Sequence, residues 1–283
     1  MTLFTPMGAV GPGRQCHGEA APTAMKKVPE LTAFFWATKA LINGSCEWWP
    51  DYVYGRFGLV AVTGVLAAAL AATLALQFRV RRYHAPVYWL TFTVASVAAK
   101  EAANGLHRAG LPYVVVAVVW LVVLAVILVA WRASGETMSA GSVCGGRQEV
   151  FYWSAAGSGF ALSQAAGHAS AAAGFTYLRG ELAVVAALTV VVAVAWWRFG
   201  LNSAVAFWLA FVLTYPLGGG VASWLADGRA MDGLGLGQWP VTMSLAIAAV
   251  GLVVYMAATG SETWQRPVAP SAAGRSTADG PEG

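Results

Sequence analysis

Glu47 and Asp51 stand eleven and fifteen residues after Trp36, and the same two steps from three other tryptophans reach further polar residues. From Trp89 they reach Lys100 and Asn104, from Trp153 they reach Gln164 and His168, and from Trp208 they reach Gly219 and Ser223, with Asp227 one further turn along. The two offsets differ by four, so on a helix each pair shares a face. Glu101 adjoins Lys100. Together these groups could bind an ion, or relay protons coupled to a solute. Hard cations take several oxygen ligands, which Glu47, Asp51, Glu101 and Asn104 could supply. His168 could titrate near neutral pH as a coupling group. The residue types name no particular metal. The alternative is that the groups only satisfy one another: Lys100 pairs with a carboxylate, and Asp51, beside Pro50 and the Trp48-Trp49 belt, caps a helix or faces water at an interface where charge is cheap.

The elements that must position these residues are membrane helices. The 283 residues are 58% hydrophobic and only 11% charged, against roughly 25% charged in soluble chains. The stretch 57–78 has two threonines and a glutamine as its only polar side chains, and 111–131, 182–197 and 240–258 hold no charged residue. Each run approaches the ~20 residues that cross ~30 Å of hydrocarbon. A charge at the bilayer centre costs about 2.5–3.5 kcal/mol on insertion scales. Lys39, Glu47, Lys100 and Glu101 fall within the expected spans, so something must offset that cost.

Four aromatic clusters ending in Trp punctuate the chain: Phe34-Phe35-Trp36, Val87-Tyr88-Trp89, Phe151-Tyr152-Trp153 and Ala206-Phe207-Trp208. Each opens a moderately polar helix that is followed by an apolar run. The expected fold is therefore all-α: a polytopic membrane protein of about eight transmembrane helices, arranged as four tandem helical-hairpin repeats. The repeats span 28–80, 81–132, 149–198 and 199–260, with a loop at 133–148 and tails at 1–27 and 261–283. Repeats of this kind surround pathways in transporters. The aromatic clusters read as interfacial anchors, and the small residues Ala156, Gly157, Gly159, Ser163, Ala166 and Gly167 as a close-packing face. Pro216 before Gly218-Gly219-Gly220 should interrupt its helix, freeing backbone groups for an ion or substrate, or else kink it for packing.

Lys and Arg concentrate in alternate connections: Arg14, Lys26 and Lys27; Arg79, Arg81 and Arg82; Arg132 and Arg147; Arg198; Arg266 and Arg275. The other side has Arg56, Arg108, Arg179 and Arg229. The positive-inside rule places both termini in the cytoplasm and the polar pairs in the outer half of the bilayer. The net charge of +4 is thus spread over loops and forms no nucleic-acid-binding face. Cys16, Cys46 and Cys144 have no zinc spacing. Neither Gly-x-Ser-x-Gly nor His-Glu-x-x-His occurs, and 233–237 lacks the Lys-Ser/Thr of a phosphate loop. No enzyme activity and no cofactor are expected.

The chain resembles an uncharacterised bacterial family of membrane-anchored proteins built from tandem copies of a repeat of unknown function. The resemblance covers about 27–258 and rests on Lys27-Val28-Pro29-Glu30, Arg81-Arg82-Tyr83 leading to Tyr88-Trp89, and Glu149 with Phe151-Tyr152-Trp153. It continues in Arg198-Phe199-Gly200-Leu201-Asn202, Ala206-Phe207-Trp208, Thr214 with Pro216-Leu217-Gly218, and Gly233-Leu234-Gly235-Leu236-Gly237. It implies the repeat architecture and a bacterial plasma-membrane location. The family pattern favours an acidic residue fifteen positions after the repeat Trp. Asp51 keeps it and Glu47 also matches; Asn104, His168 and Ser223 replace the others, and Tyr215 stands where an arginine is usual. The leading expectation is a transporter or channel-like protein for a small solute or inorganic ion, with lipid as its surroundings. The alternative is a non-transporting scaffold or sensor that has lost most of the repeat acids.

Overall fold

A computed structural model describes residues 26–136, 138, 143, 145–176 and 182–260. Residues 1–25 of the first expected tail, the whole of the second, Cys16, Cys144 and Arg179 lie outside these residues. The described residues form α-helices and one 3-10 turn, without a strand: α1 Ala33–Ser45, α2 Trp49–Phe57, α3 Leu59–Arg79, α4 Ala85–Arg108, α5 Tyr113–Ala133, α6 Arg147–Ala172, α7 Ala183–Phe199, α8 Ser203–Ala226 and α9 Gln238–Thr259. Four of them, α3, α5, α8 and α9, are long and apolar enough to cross a membrane, with mean hydropathies of 2.4, 3.2, 1.6 and 2.1. Helix α7 is apolar but shorter, at 17 residues. Val65, Val118, Val122, Val126, Ile247 and Val250 are exposed on α3, α5 and α9. Water would penalise such surfaces at about 25 cal/mol per Å², whereas lipid tails would not. The chain is built as a membrane protein.

The helices that carry the aromatic clusters, the moderately polar α1, α4 and α6 with the more apolar α8, form the centre. Helix α1 packs on α8, α8 on α6, α6 on α4, and α4 more sparingly on α1. The apolar helices pack outside, each chiefly against the next polar helix in the chain: α3 on α4, α5 on α6, α7 on α8, and α9 back on α1. The expected hairpins suggested that each polar helix would pack on the apolar helix following it. Sequential pairs such as α4 and α5 instead touch only lightly. Helix α5 touches both α4 and α6, and α9 touches both α8 and α1.

The aromatic clusters pack helix on helix within the bundle. Phe35, Tyr88, Tyr152 and Phe207 are buried, as are Trp89, Trp153 and Trp208. Each residue preceding a Trp stacks against the Trp of another helix: Phe35 on Trp89 at 5.7 Å, Tyr88 on Trp153 at 5.5 Å, Tyr152 on Trp208 at 5.9 Å, and Phe207 on Trp36 at 5.9 Å. These contacts close a ring of eight aromatic side chains. Each such residue also meets its own Trp edge-on, with interplanar angles of 78–87°. Edge-on and offset pairs of this kind contribute roughly 0.5–1.5 kcal/mol each beyond area burial.

Two prolines act differently from the sequence expectation. Helix α8 runs unbroken through Pro216. A proline removes the hydrogen bond to the carbonyl four residues earlier, here Val212. The Ser163 hydroxyl of α6 lies 2.8 Å from that oxygen and 2.7 Å from its own Gly159 carbonyl, so a neighbouring helix satisfies the freed group. The interruption falls in the first polar segment instead, at 46–48 between α1 and α2. Pro50 cannot return an N–H to the Cys46 carbonyl, and that oxygen accepts from Lys100.

The Gly-Leu-Gly-Leu-Gly segment terminates α8. The N–H groups of Leu234, Gly235, Leu236 and Gly237 donate to the carbonyls of Trp224, Asp227, Leu225 and Ala226 at 2.7–3.0 Å. A Cβ on Gly233 would lie 2.1 Å from the Asp227 oxygen, so only glycine fits there. Orphan carbonyls at a helix end buried in protein are thereby paired.

Candidate functional site

Lys100, buried on α4, is the hub of the site. Its ammonium donates to Glu47 Oε2 at 3.0 Å and to the carbonyls of Glu47 and Cys46 at 3.1 and 3.2 Å, which uses all three N–H groups. The break after α1 and the proline after it make this possible: a continuous helix would have kept the Glu47 carbonyl for the N–H of residue 51, and Pro50 has no N–H to give the Cys46 carbonyl. The break also separates Glu47, in the turn, from Asp51, within α2, so these two do not share one helical face as the spacing predicts. The Asp51 side chain lies outside the described residues.

The four positions eleven residues after the tryptophans come close together. Glu47 pairs with Lys100, and a Cβ on Gly219 would stand 2.9 Å from Glu47 Oε2, so the bare backbone of α8 leaves room for the carboxylate. Lys100 Nζ lies 5.8 Å from the Tyr215 ring centroid, and the Tyr215 hydroxyl donates to Gln164 Oε1 at 3.0 Å. Gln164 Nε2 lies 2.6 Å from His168 Nε2. In that pairing the amide donates to an unprotonated imidazole nitrogen.

One turn further, Asn104 and His168 meet through Tyr113 of α5. The Tyr113 hydroxyl donates to Asn104 Oδ1 at 3.4 Å, and its ring stacks on His168 at 4.6 Å and on His107 at 3.8 Å. Glu101 turns toward Arg108, 3.0 Å away, and lies 3.5 Å from the Asn104 amide nitrogen. Arg108 in turn covers the Tyr54 ring of α2 at 5.1 Å. Ser223 is buried on α8, one turn beyond Gly219, and Asp227 follows the helix end. Glu47 and Glu101 are each committed to a cation. Among the described residues no group of three or more His, Cys, Asp or Glu side chains could hold a metal ion.

Several participants escape a search at those two offsets. Tyr113 lies on α5 and carries no spacing signal, whereas Arg108 stands one turn beyond Asn104, at the same offset from its tryptophan as Asp227. Lys39, Asn43 and Ser96, however, lie three, seven and seven residues after their tryptophans, and the same arithmetic begun two turns earlier reaches them. All three are wholly buried. A second ionic cluster lies at the other end of the bundle. Lys27 Nζ is 2.7 Å from Glu149 Oε2 and donates to the Phe78 carbonyl at 3.1 Å, while Gln77 donates to Glu149 Oε1 at 3.1 Å. It ties the leader to the end of α3 and the start of α6.

Comparison with protein-family models, with curated proteins and with solved structures finds no match.

Proposed function

We propose that the chain is an eight-span membrane transporter or channel-like protein, with four tandem two-helix units around one axis. In this reading α1 and α2 together make the first span, and both termini lie on the cytoplasmic side of a bacterial plasma membrane. A small polar solute or inorganic ion enters from the outer side, along a column of polar side chains. Membership of the tandem-repeat family is part of the proposal.

The observation that carries it is the convergence of Glu47, Lys100, Gln164 and Gly219, four positions at one offset, within a network through Tyr215 in the bundle centre. Apolar helices surround that centre and polar ones line it, which supports a protected route for a polar solute. The ring of aromatic side chains closes the column on the side away from the network. A scaffold or sensor is the second reading, favoured by the pairing of Glu47 with Lys100 and of Glu101 with Arg108.

Flux through reconstituted vesicles separates the two. The transporter reading predicts uptake of at least one member of a panel of inorganic ions and small polar solutes, reduced tenfold or more by Glu47→Gln and by Lys100→Met. Absence of flux and of binding across the panel would leave the scaffold.

A further inference from the structure

Lys39 is the charge that the network does not explain. It sits on α1 at zero exposure, and its ammonium has no hydrogen-bond partner among the described residues. Three phenylalanines enclose it: the ring centroids of Phe211, Phe160 and Phe92, from three different helices, lie 4.2, 5.4 and 6.0 Å from Nζ. Aromatic faces attract a cation, by about 2 kcal/mol or more when desolvated. They accept no conventional hydrogen bond, so they leave the ammonium protons unused. An unpaired buried charge is the costliest group a bundle can hold.

Several other buried side chains share this condition, and two of them lie one turn along from the Lys39–Phe92 contact. Both the nitrogen and the oxygen of the Asn43 amide, and the Ser96 hydroxyl, lack partners among the described residues. Their placement follows from the contacts on either side. Lys39 faces Phe92, and Glu47 pairs with Lys100. Asn43 lies one turn after Lys39 on α1, ahead of the break that holds Glu47, and Ser96 lies midway between Phe92 and Lys100 on α4. Asn43 and Ser96 thus each follow, by one turn, a member of the Lys39–Phe92 contact on two helices that touch. An ammonium, a carboxamide N–H and a hydroxyl are all donors. Ion pairing removes Glu47 as a competing counter-charge, since Lys100 holds it at 3.0 Å.

We infer that Lys39, Asn43 and Ser96 form an internal binding site for a small monovalent inorganic anion, halide-like in size. The anion would supply the missing counter-charge and accept from all three donors, while the phenylalanines hold the far side of the ammonium. The site rests on the reading of the bundle as a solute pathway only for its route of entry. It lies at the inner end of the polar column, next to the aromatic ring through Phe92, whose centroid is 5.2 Å from that of Trp89.

The test uses the full chain in detergent, with bromide as the probe against gluconate at constant ionic strength. Thermal unfolding should shift upward with bromide and saturate, as expected for a ligand that binds only the folded state. Lys39→Met should abolish the bromide dependence. Ser96→Ala, a small change that keeps the fold even if the lysine variant does not, should raise the half-saturating concentration about tenfold, the loss of one hydrogen bond to a charged acceptor. Identical unfolding in both salts, or an unchanged bromide response in Ser96→Ala and in any folded Lys39→Met, would overturn the inference. Bromide binding without vesicle flux would preserve this site and sink the transporter. Flux of another solute without bromide binding would do the reverse.

Discussion

At the scale of single residues, interior charges are arranged so that losing one partner costs more than losing both. Among the described residues, Glu149 keeps only a Gln77 hydrogen bond from a side chain once Lys27 is removed. Breaking a buried pair from one side typically costs about 3–5 kcal/mol, whereas replacing both members by apolar groups is often neutral. Lys27→Met should therefore lower the unfolding midpoint in detergent markedly, and Lys27→Met with Glu149→Leu should recover most of the loss. A double variant no more stable than the single one would mean that the pair does more than compensate charge. Gly219→Ala makes a different prediction. Its methyl would meet the end of the flexible Glu47 side chain at 2.9 Å, so folding should survive while the carboxylate shifts slightly and its contact with Lys100 lengthens. Stability should fall by no more than about 1 kcal/mol, and any flux should fall with it.

At the scale of elements, the two prolines show how much of this fold was legible and where legibility ended. Helix identity followed from apolar run length, and the apolar runs 57–78, 111–131, 182–197 and 240–258 correspond to α3, α5, α7 and α9. The sequence pattern located Pro216 as a break, yet α8 is continuous, because Ser163 reaches across from α6 to the Val212 carbonyl. No reading of α8 alone could find a partner supplied fifty residues away. Pro50 did accompany a break, and the carbonyl it frees became a ligand of Lys100. Ser163→Ala should lower stability by about 1–3 kcal/mol through the unpaired carbonyl, measurable as a drop in unfolding temperature; no change would mean that the carbonyl finds another donor. Substituting Gly233 by Ala should be worse, since a Cβ there meets fixed backbone at 2.1 Å. The network followed the same division. The meeting of Glu47 with Lys100 was foreshadowed by a shared offset, but the turning of Glu101 to Arg108 and the bridge from Tyr113 depend on helix rotation and on α5, which carry no mark in the polar pattern.

At the scale of the whole molecule, apolar helices that pack against the next polar helix make the bundle a closed circuit. Helix α9 on α1 is the contact that joins its two ends. The aromatic ring repeats this circuit in side chains, with Phe207 on Trp36 as its closing contact. Trp36→Ala should open both, and its cost, below the roughly 3–5 kcal/mol of a fully buried aromatic because Trp36 is half-buried, should appear as a loss of cooperativity between the first and last helices under proteolysis. In the proposed reading the polar column is reached from one side only: along α4, Asn104 is half-buried while Ser96 and Trp89 are buried. Single cysteines at positions 104, 96 and 89 of α4, in a chain whose own Cys16, Cys46 and Cys144 are replaced, measure that directly with a membrane-impermeant thiol reagent applied from either side. The account predicts rapid labelling at 104 from the outer side only, slower labelling at 96 from that same side, and none at 89 from either. Equal labelling of all three positions, or labelling of 89 from the side bearing Lys27, would contradict it.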